Sequence, residues 1–291
     1  MTSAKVIDAH LHVWASTIES AKGFPYVQPP PDSLKDKGST AELIKQMNAN
    51  GVDGALIVQP INHQFDHSYV LAALKSHPDR FKGMLLHDPS LDADAAVARL
   101  EELALQGFVG VRFNPYLWPK DGESWSPMSQ GAGLAVYKRC AELKMPVGVM
   151  CFQGLQLHYD DILQLIDKSP DTMLILDHFG FCSVDNEEAF ERLLALSKFP
   201  NVYVKISALF RLGDTSPYNK VKEKRFLNLL NAFGSSRLLY GSDFPFVLEQ
   251  AEGYGMVKLI SSWVEDPDDR ASILGGTSER LFGAWGLPKG S

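Results

Sequence analysis

His10 and His12 stand one residue apart in Asp8-Ala9-His10-Leu11-His12, at the end of the short apolar run Lys5-Val6-Ile7. Side chains alternate along a strand, so both imidazoles face one way and can reach a single point. Two imidazoles at one point can ligate a metal ion or polarise a substrate oxygen. Near the other end of the chain, Arg237-Leu238-Leu239-Tyr240-Gly241-Ser242-Asp243 is a second strand-like run, ending in a carboxylate. A carboxylate beside such imidazoles can act as a general base or as a further ligand. Asp177-His178-Phe179-Gly180 closes another apolar run and offers a third imidazole, His178.

Further polar residues end other apolar runs: Gln59, His87, Arg112, Cys151, Lys205 and Ser207. A buried arginine needs an anion. For Arg112 the candidates are Asp243, Glu123, or a carboxylate or lactone oxygen of a substrate. Gln59 either bonds loop backbone or contacts substrate. Lys205, in mid-barrel, cannot easily snorkel to solvent and is a candidate substrate contact. His87, ahead of Asp88-Pro89, reads as a turn cap. Cys151 reads as a small core residue, since no charge pattern marks a thiolate.

Eight strand-like runs position these groups. They are Val6-Ile7-Asp8, Gly54-Ala55-Leu56-Ile57-Val58, Gly83-Met84-Leu85-Leu86 and Phe108-Val109-Gly110-Val111-Arg112. They continue with Val147-Gly148-Val149-Met150, Met173-Leu174-Ile175-Leu176, Val202-Tyr203-Val204-Lys205 and Leu238-Leu239-Tyr240. Most are apolar throughout, as parallel strands buried on both faces are. Segments with helical period, such as 95–104 and 188–194, lie between them. Eight strands with intervening helices predict a (β/α)₈ TIM barrel of the α/β class, one domain over residues 1–291. An open doubly wound sheet would place a glycine-rich phosphate turn after its first strand. This chain has His-x-His there. Loops 14–38 and 114–130 follow the first and fourth strands and are expected to wall or cover the site, Trp118 and Trp125 supplying apolar surface. Residues 269–282 read as a closing helix packed outside the barrel.

The 291 residues carry a formal net charge of -7 and no cluster of Lys or Arg, which disfavours nucleic acid and anionic membranes as partners. A small-molecule substrate is expected, and self-association into a homo-oligomer stays open. No run of about 18 apolar residues appears. Three cysteines without paired spacing fit a reducing compartment. The first strand begins within a few residues of Met1, leaving no room for a signal peptide, so the expected location is cytoplasmic.

Ile7-Asp8-Ala9-His10-Leu11-His12-Val13-Trp14 resembles the opening of the amidohydrolase superfamily, in its amidohydrolase-related branch. That branch includes lactonases for sugar lactones and for pyrone dicarboxylate. The likeness runs over nearly the whole chain. Asp66-His67-Ser68-Tyr69 with His77-Pro78-Asp79-Arg80-Phe81, Leu176-Asp177-His178-Phe179-Gly180, Val202-Tyr203-Val204-Lys205-Ile206-Ser207 and Gly241-Ser242-Asp243-Phe244-Pro245 are each similar to segments of the branch.

The resemblance implies a hydrolase in which Asp243 takes a proton from water. His10 and His12 would polarise the carbonyl or hold a divalent metal. His178 would bind the scissile carbonyl or the metal, and Arg112 the substrate anion. Metal-dependent members of the wider superfamily usually place a Lys or His at the end of strand five. Here that stretch is Val149-Met150-Cys151-Phe152-Gln153, which disfavours a binuclear site. Two cases stay open: one Zn²⁺ or Mn²⁺ held by His10, His12 and Asp243, with or without His178, or catalysis without metal. Thr277 replaces the branch's usual Asn near the closing helix, where an effect on packing is expected. Hydrolysis of a cyclic ester is the leading function. The alternatives are a metal-dependent decarboxylase or hydratase of the same superfamily, and a catalytically silent small-molecule-binding barrel.

Overall fold

Eight short strands pair in parallel in chain order: β1 (Ile7–Leu11), β2 (Gly54–Val58), β3 (Phe81–Leu86), β4 (Phe108–Phe113), β5 (Val147–Val149), β6 (Leu174–Leu176), β7 (Val202–Ile206) and β8 (Leu238–Tyr240). The structure is a computed structural model that describes residues 4–122 and 124–286, without the side chains of Asp121 and Ser124. The strand runs read from the sequence agree with these elements to within a few residues. Their uniform apolarity follows from burial on both faces, with helices such as Ala93–Leu105 and Glu187–Ala195 outside. Both helices start where side-chain caps occur, at Asp92 and Asn186, which accept from the backbone N–H of Ala95 and Ala189.

The sheet closes between β8 and β1 into a nearly complete barrel. The Asp243 N–H donates to the His10 carbonyl at 2.8 Å, and the His12 N–H to the Phe244 carbonyl at 2.7 Å. This seam sets the first and last candidate residues side by side. Asp8 reinforces it: Oδ1 accepts from the Ser242 and His10 backbone N–H groups, and Oδ2 from the Tyr254 hydroxyl. Burial pushes the Asp8 carboxyl up to about 6, against these hydrogen bonds. Between Asp8 and Leu11 the pairing of β1 with β2 shifts register. Such an irregularity re-aims side chains beside a site.

A second, smaller core fills the barrel itself. Ile7, Ala9, Leu56, Val58, Met84, Ile175 and Leu239 meet there, and Leu281, Phe282 and Trp285 join them from the tail. The tail helix spans Pro267–Ala271, Ser272–Gly276 and Thr277–Phe282. It does more than pack outside, as expected from sequence: its end plugs the barrel where β2 begins. The Trp285 indole donates to the Ala55 carbonyl at 3.3 Å. Gly54 makes room, because a Cβ there would stand 2.3 Å from Trp285 Cδ1. Thr277 is buried and bonds the Ser235 carbonyl at 3.2 Å, the packing role expected of it. Among the described residues no helix is long and apolar enough to cross a membrane.

Candidate active site

The C-terminal strand ends bring His10, His12, His178 and Asp243 together, all buried. The β6 end reaches His178 through a tight left-handed turn, with φ of +50° at His178 and +55° at Phe179. Asp243 also adopts a positive φ, +61°. Left-handed backbone at such residues costs on the order of 1–3 kcal/mol each and concentrates at functional sites. Asp243 Oδ2 accepts from Arg211 Nε at 2.8 Å, while Oδ1 faces His12 Nε2 at 3.6 Å and His178 Nε2 at 3.8 Å. Burial raises the Asp243 carboxyl above the usual carboxylate range, and Arg211 offsets this only in part.

The three imidazoles are neutral at neutral pH. Burial, then the neighbouring Lys205 charge, lowers His10 to about 3. Burial together with His10 and Arg112 holds His12 well below its ordinary value, and His178 likewise. His12 Nδ1 lies 2.9 Å from the Val58 carbonyl, which can only accept, so Nδ1 carries the proton and Nε2 a lone pair. His178 Nδ1 pairs with Ser207 Oγ at 2.7 Å.

Below these groups lies a buried ionic cluster on Asp177. Oδ2 accepts from Arg112 Nε at 3.1 Å, and Oδ1 from Lys205 Nζ at 3.0 Å. His10 Nδ1 is 3.2 Å from Asp177 Oδ1 and 3.0 Å from Lys205 Nζ. Burial would raise the Asp177 carboxyl, but Lys205, His10 and Arg112 together hold it well below its ordinary value.

Several expectations change here. The protein anion that Arg112 finds is Asp177, not Asp243; Glu123 lies outside the described residues. Lys205 is fully buried in this cluster and does not line the cavity, so its ammonium serves Asp177 and His10 rather than a substrate. Gln59 is likewise absent from the cavity wall. Its amide N–H groups donate to the Gln64 and Asp66 carbonyls, tying down the loop after β2. Trp118 packs on Phe113 and His87, and Trp125 on Tyr116 and His158. The apolar wall comes instead from Trp14, Phe152, Phe181 and Phe246. Asp88, not His87, caps the turn after β3, accepting from Ser90. Cys151 is a buried core thiol, pushed up by burial.

Arg211 and Asp177 carry no signal of a role in the sequence. Arg211 sits in the loop after β7, beyond the strand end itself. Asp177 directly precedes His178, and its two cationic partners come from distant strands.

The cavity over the site measures about 390 Å³, with Arg112, Arg211, Asn62, Asn114, His12, His178 and Asp243 among its lining residues. A larger groove of about 490 Å³ runs past His67, His87 and Arg99, but holds none of the converging imidazoles nor Asp243. Among the described residues, His10, His12 and Asp243 each offer one donor atom within 4.8 Å of the others. His178 is not in that set. Two neutral imidazoles and a carboxylate suit one divalent ion. His10 Nε2 is buried without a hydrogen-bond partner among the described residues, and would ligate such an ion when its ring proton sits on Nδ1.

The sequence profile described as Amidohydrolase matches residues 7–284. A 4-sulfomuconolactone hydrolase from Hydrogenophaga intermedia is 26% identical over 95% of this chain and 88% of its own. An L-fucono-1,5-lactonase from Burkholderia ambifaria is 26% identical over 95% of this chain and 94% of its own. The solved structure of a protein assigned as a 2-pyrone-4,6-dicarboxylic acid hydrolase from Pseudomonas putida superposes with a TM-score of 0.77 at 24% identity. It covers 96% of this chain and 98% of that one, and shares the fold.

Proposed function

The chain belongs to the amidohydrolase family and is a hydrolase, and we propose that its substrates are lactones carrying an anionic group. One observation carries this reading. Asp243 Oδ1 and the bare Nε2 of His12 face each other at 3.6 Å, under a cavity lined by two guanidinium groups. Two acceptors that close require a proton donor or a cation between them. A water molecule donating to both is held for attack, and Asp243 takes its proton as the bond to the carbonyl carbon forms. Arg211 keeps Asp243 ionised for that step.

His178 faces the same point and is oriented by Ser207, which places its Nε2 beside the reacting carbonyl. Arg112 and Arg211 are each tied to a carboxylate through Nε. Their remaining N–H groups are suited to a substrate carboxylate or sulfonate. His10, His12 and Asp243 would hold a divalent ion, which when bound supplies Lewis acidity to the carbonyl. The lactonase names of the two curated relatives support the cyclic-ester class.

Acid release from a panel of five- and six-membered lactones by the purified protein tests this. A carboxylated lactone is expected to exceed its neutral analogue in kcat/KM by about tenfold to a hundredfold, the value of one charge-assisted hydrogen bond. Binding of hydroxy acids without turnover of any lactone would overturn the proposal in favour of a silent barrel.

A further inference from the structure

His10 and His12 form one motif, yet their Nδ1 atoms meet opposite partners. His12 Nδ1 meets a carbonyl oxygen, which forces its proton onto Nδ1. His10 Nδ1 meets the Lys205 ammonium at 3.0 Å and Asp177 Oδ1 at 3.2 Å. An ammonium has three protons and no lone pair, so toward an imidazole nitrogen it can only donate. Asp177 already accepts from Lys205 on Oδ1 and from Arg112 on Oδ2, and Lys205, Asp177 and His10 are all fully buried. A proton on His10 Nδ1 would be pressed against the ammonium away from bulk solvent.

We propose that Lys205 sets the tautomer of His10: it donates to Nδ1, so the ring proton sits on Nε2, and His10 is a hydrogen-bond donor where His12 is an acceptor. His10 Nε2 is buried, has no hydrogen-bond partner among the described residues, and lies behind the cavity wall rather than in it. The His-x-His pair thus divides its work. His12 and Asp243 face the cavity as acceptors, while His10 behind them presents an N–H. Binding a divalent ion through His10 Nε2 requires the ring to move its proton to Nδ1, against the ammonium. Lys205 is therefore a positioning residue that biases the site toward hydrogen bonding over metal ligation. The tautomer belongs to the resting protein, and only its bearing on the site rests on the hydrolytic reading above.

Long-range ¹H–¹⁵N correlation on the full chain, labelled with ¹⁵N-histidine and dialysed against a chelator, reads both rings. His10 and His12 are assigned by the signals lost in His10→Gln and His12→Gln. The expected result is a protonated Nε2 on His10 and a protonated Nδ1 on His12. In Lys205→Met, His10 is expected to switch to Nδ1–H, donating to Asp177. Its Zn²⁺ affinity in equilibrium dialysis should then rise about tenfold or more. A wild-type His10 with Nδ1–H overturns the proposal, and so does a folded Lys205→Met that keeps the wild-type pattern and Zn²⁺ affinity. The wild-type spectrum decides the matter even if the variant does not fold. Absence of lactone turnover with the expected spectrum would remove the hydrolytic reading and leave the tautomer standing.

Discussion

The floor and the mouth of the barrel are each built on one buried carboxylate flanked by cations and imidazoles, but only one carboxylate is fully paired. Asp177 on the floor accepts from Arg112 on one oxygen and Lys205 on the other, and lies well below its ordinary pKa. Asp243 at the mouth has one cation, Arg211, while its second oxygen faces two imidazoles at 3.6 and 3.8 Å; its pKa is raised. Equal burial is therefore outweighed at Asp177 by Lys205, His10 and Arg112, and offset only in part at Asp243 by Arg211 and Arg112. A saturated carboxylate holds structure, whereas one with a spare oxygen and a raised pKa can take a proton.

The largest effect expected from this contrast is on the floor. Asp177→Asn strands Lys205 as an uncompensated buried charge, which costs about 3–5 kcal/mol. Urea denaturation should show that loss, with activity falling alongside it. A variant that loses activity at unchanged stability would break the contrast. At the mouth, Asp243→Asn should do the reverse. Asn tolerates the positive φ and can still accept from Arg211, so stability should stay within about 1 kcal/mol of wild type. Lactone kcat should fall about a hundredfold to ten-thousandfold, the range of a lost general base. Unchanged turnover would remove Asp243 from the chemistry.

The smallest effect sharpens the comparison with a histidine satisfied at both nitrogens. His67 lies 2.9 Å from the Phe65 carbonyl through Nδ1 and accepts from the Leu86 N–H through Nε2 at 3.1 Å. Burial lowers it to about 4. An unfolded histidine titrates near 6.5, so below that pH the unfolded chain binds a proton that the fold refuses. Stability from this group is complete above about pH 6.5 and is lost as pH falls toward 4. Between pH 7.5 and 5.5, His67→Gln should lose about 1 kcal/mol less than wild type in urea titrations. An identical loss would mean that His67 is not held neutral by the fold.

Much of this arrangement is legible along the chain. Parallel strands buried on both faces must be apolar throughout, so the eight runs stand out, and the residues ending them include His10, His12, His178 and Asp243. The runs do not reveal what each polar terminus touches. Gln59 and Lys205 occupy equivalent strand-end positions to Arg112. One ties a loop, one lies under His10, and only Arg112 reaches the cavity. Arg211 is not legible in the sequence because loop residues carry no periodicity, and its meaning comes from a 2.8 Å contact with Asp243. Trp118 and Trp125 had the right composition for a cavity wall, but loop geometry turned them onto other rings.

Sequence alone thus determined the barrel and the set of groups at its mouth, because hydrophobic periodicity and strand alternation are local properties. Tertiary structure alone decided which carboxylate is saturated and which has an oxygen to spare. It also decided that the two rings of one His-x-His motif meet different partners, a carbonyl for His12 and an ammonium for His10. Protonation state and tautomer follow from charges and dipoles within a few ångströms. In a closed barrel those come from strands on opposite sides of the ring, far apart in the chain.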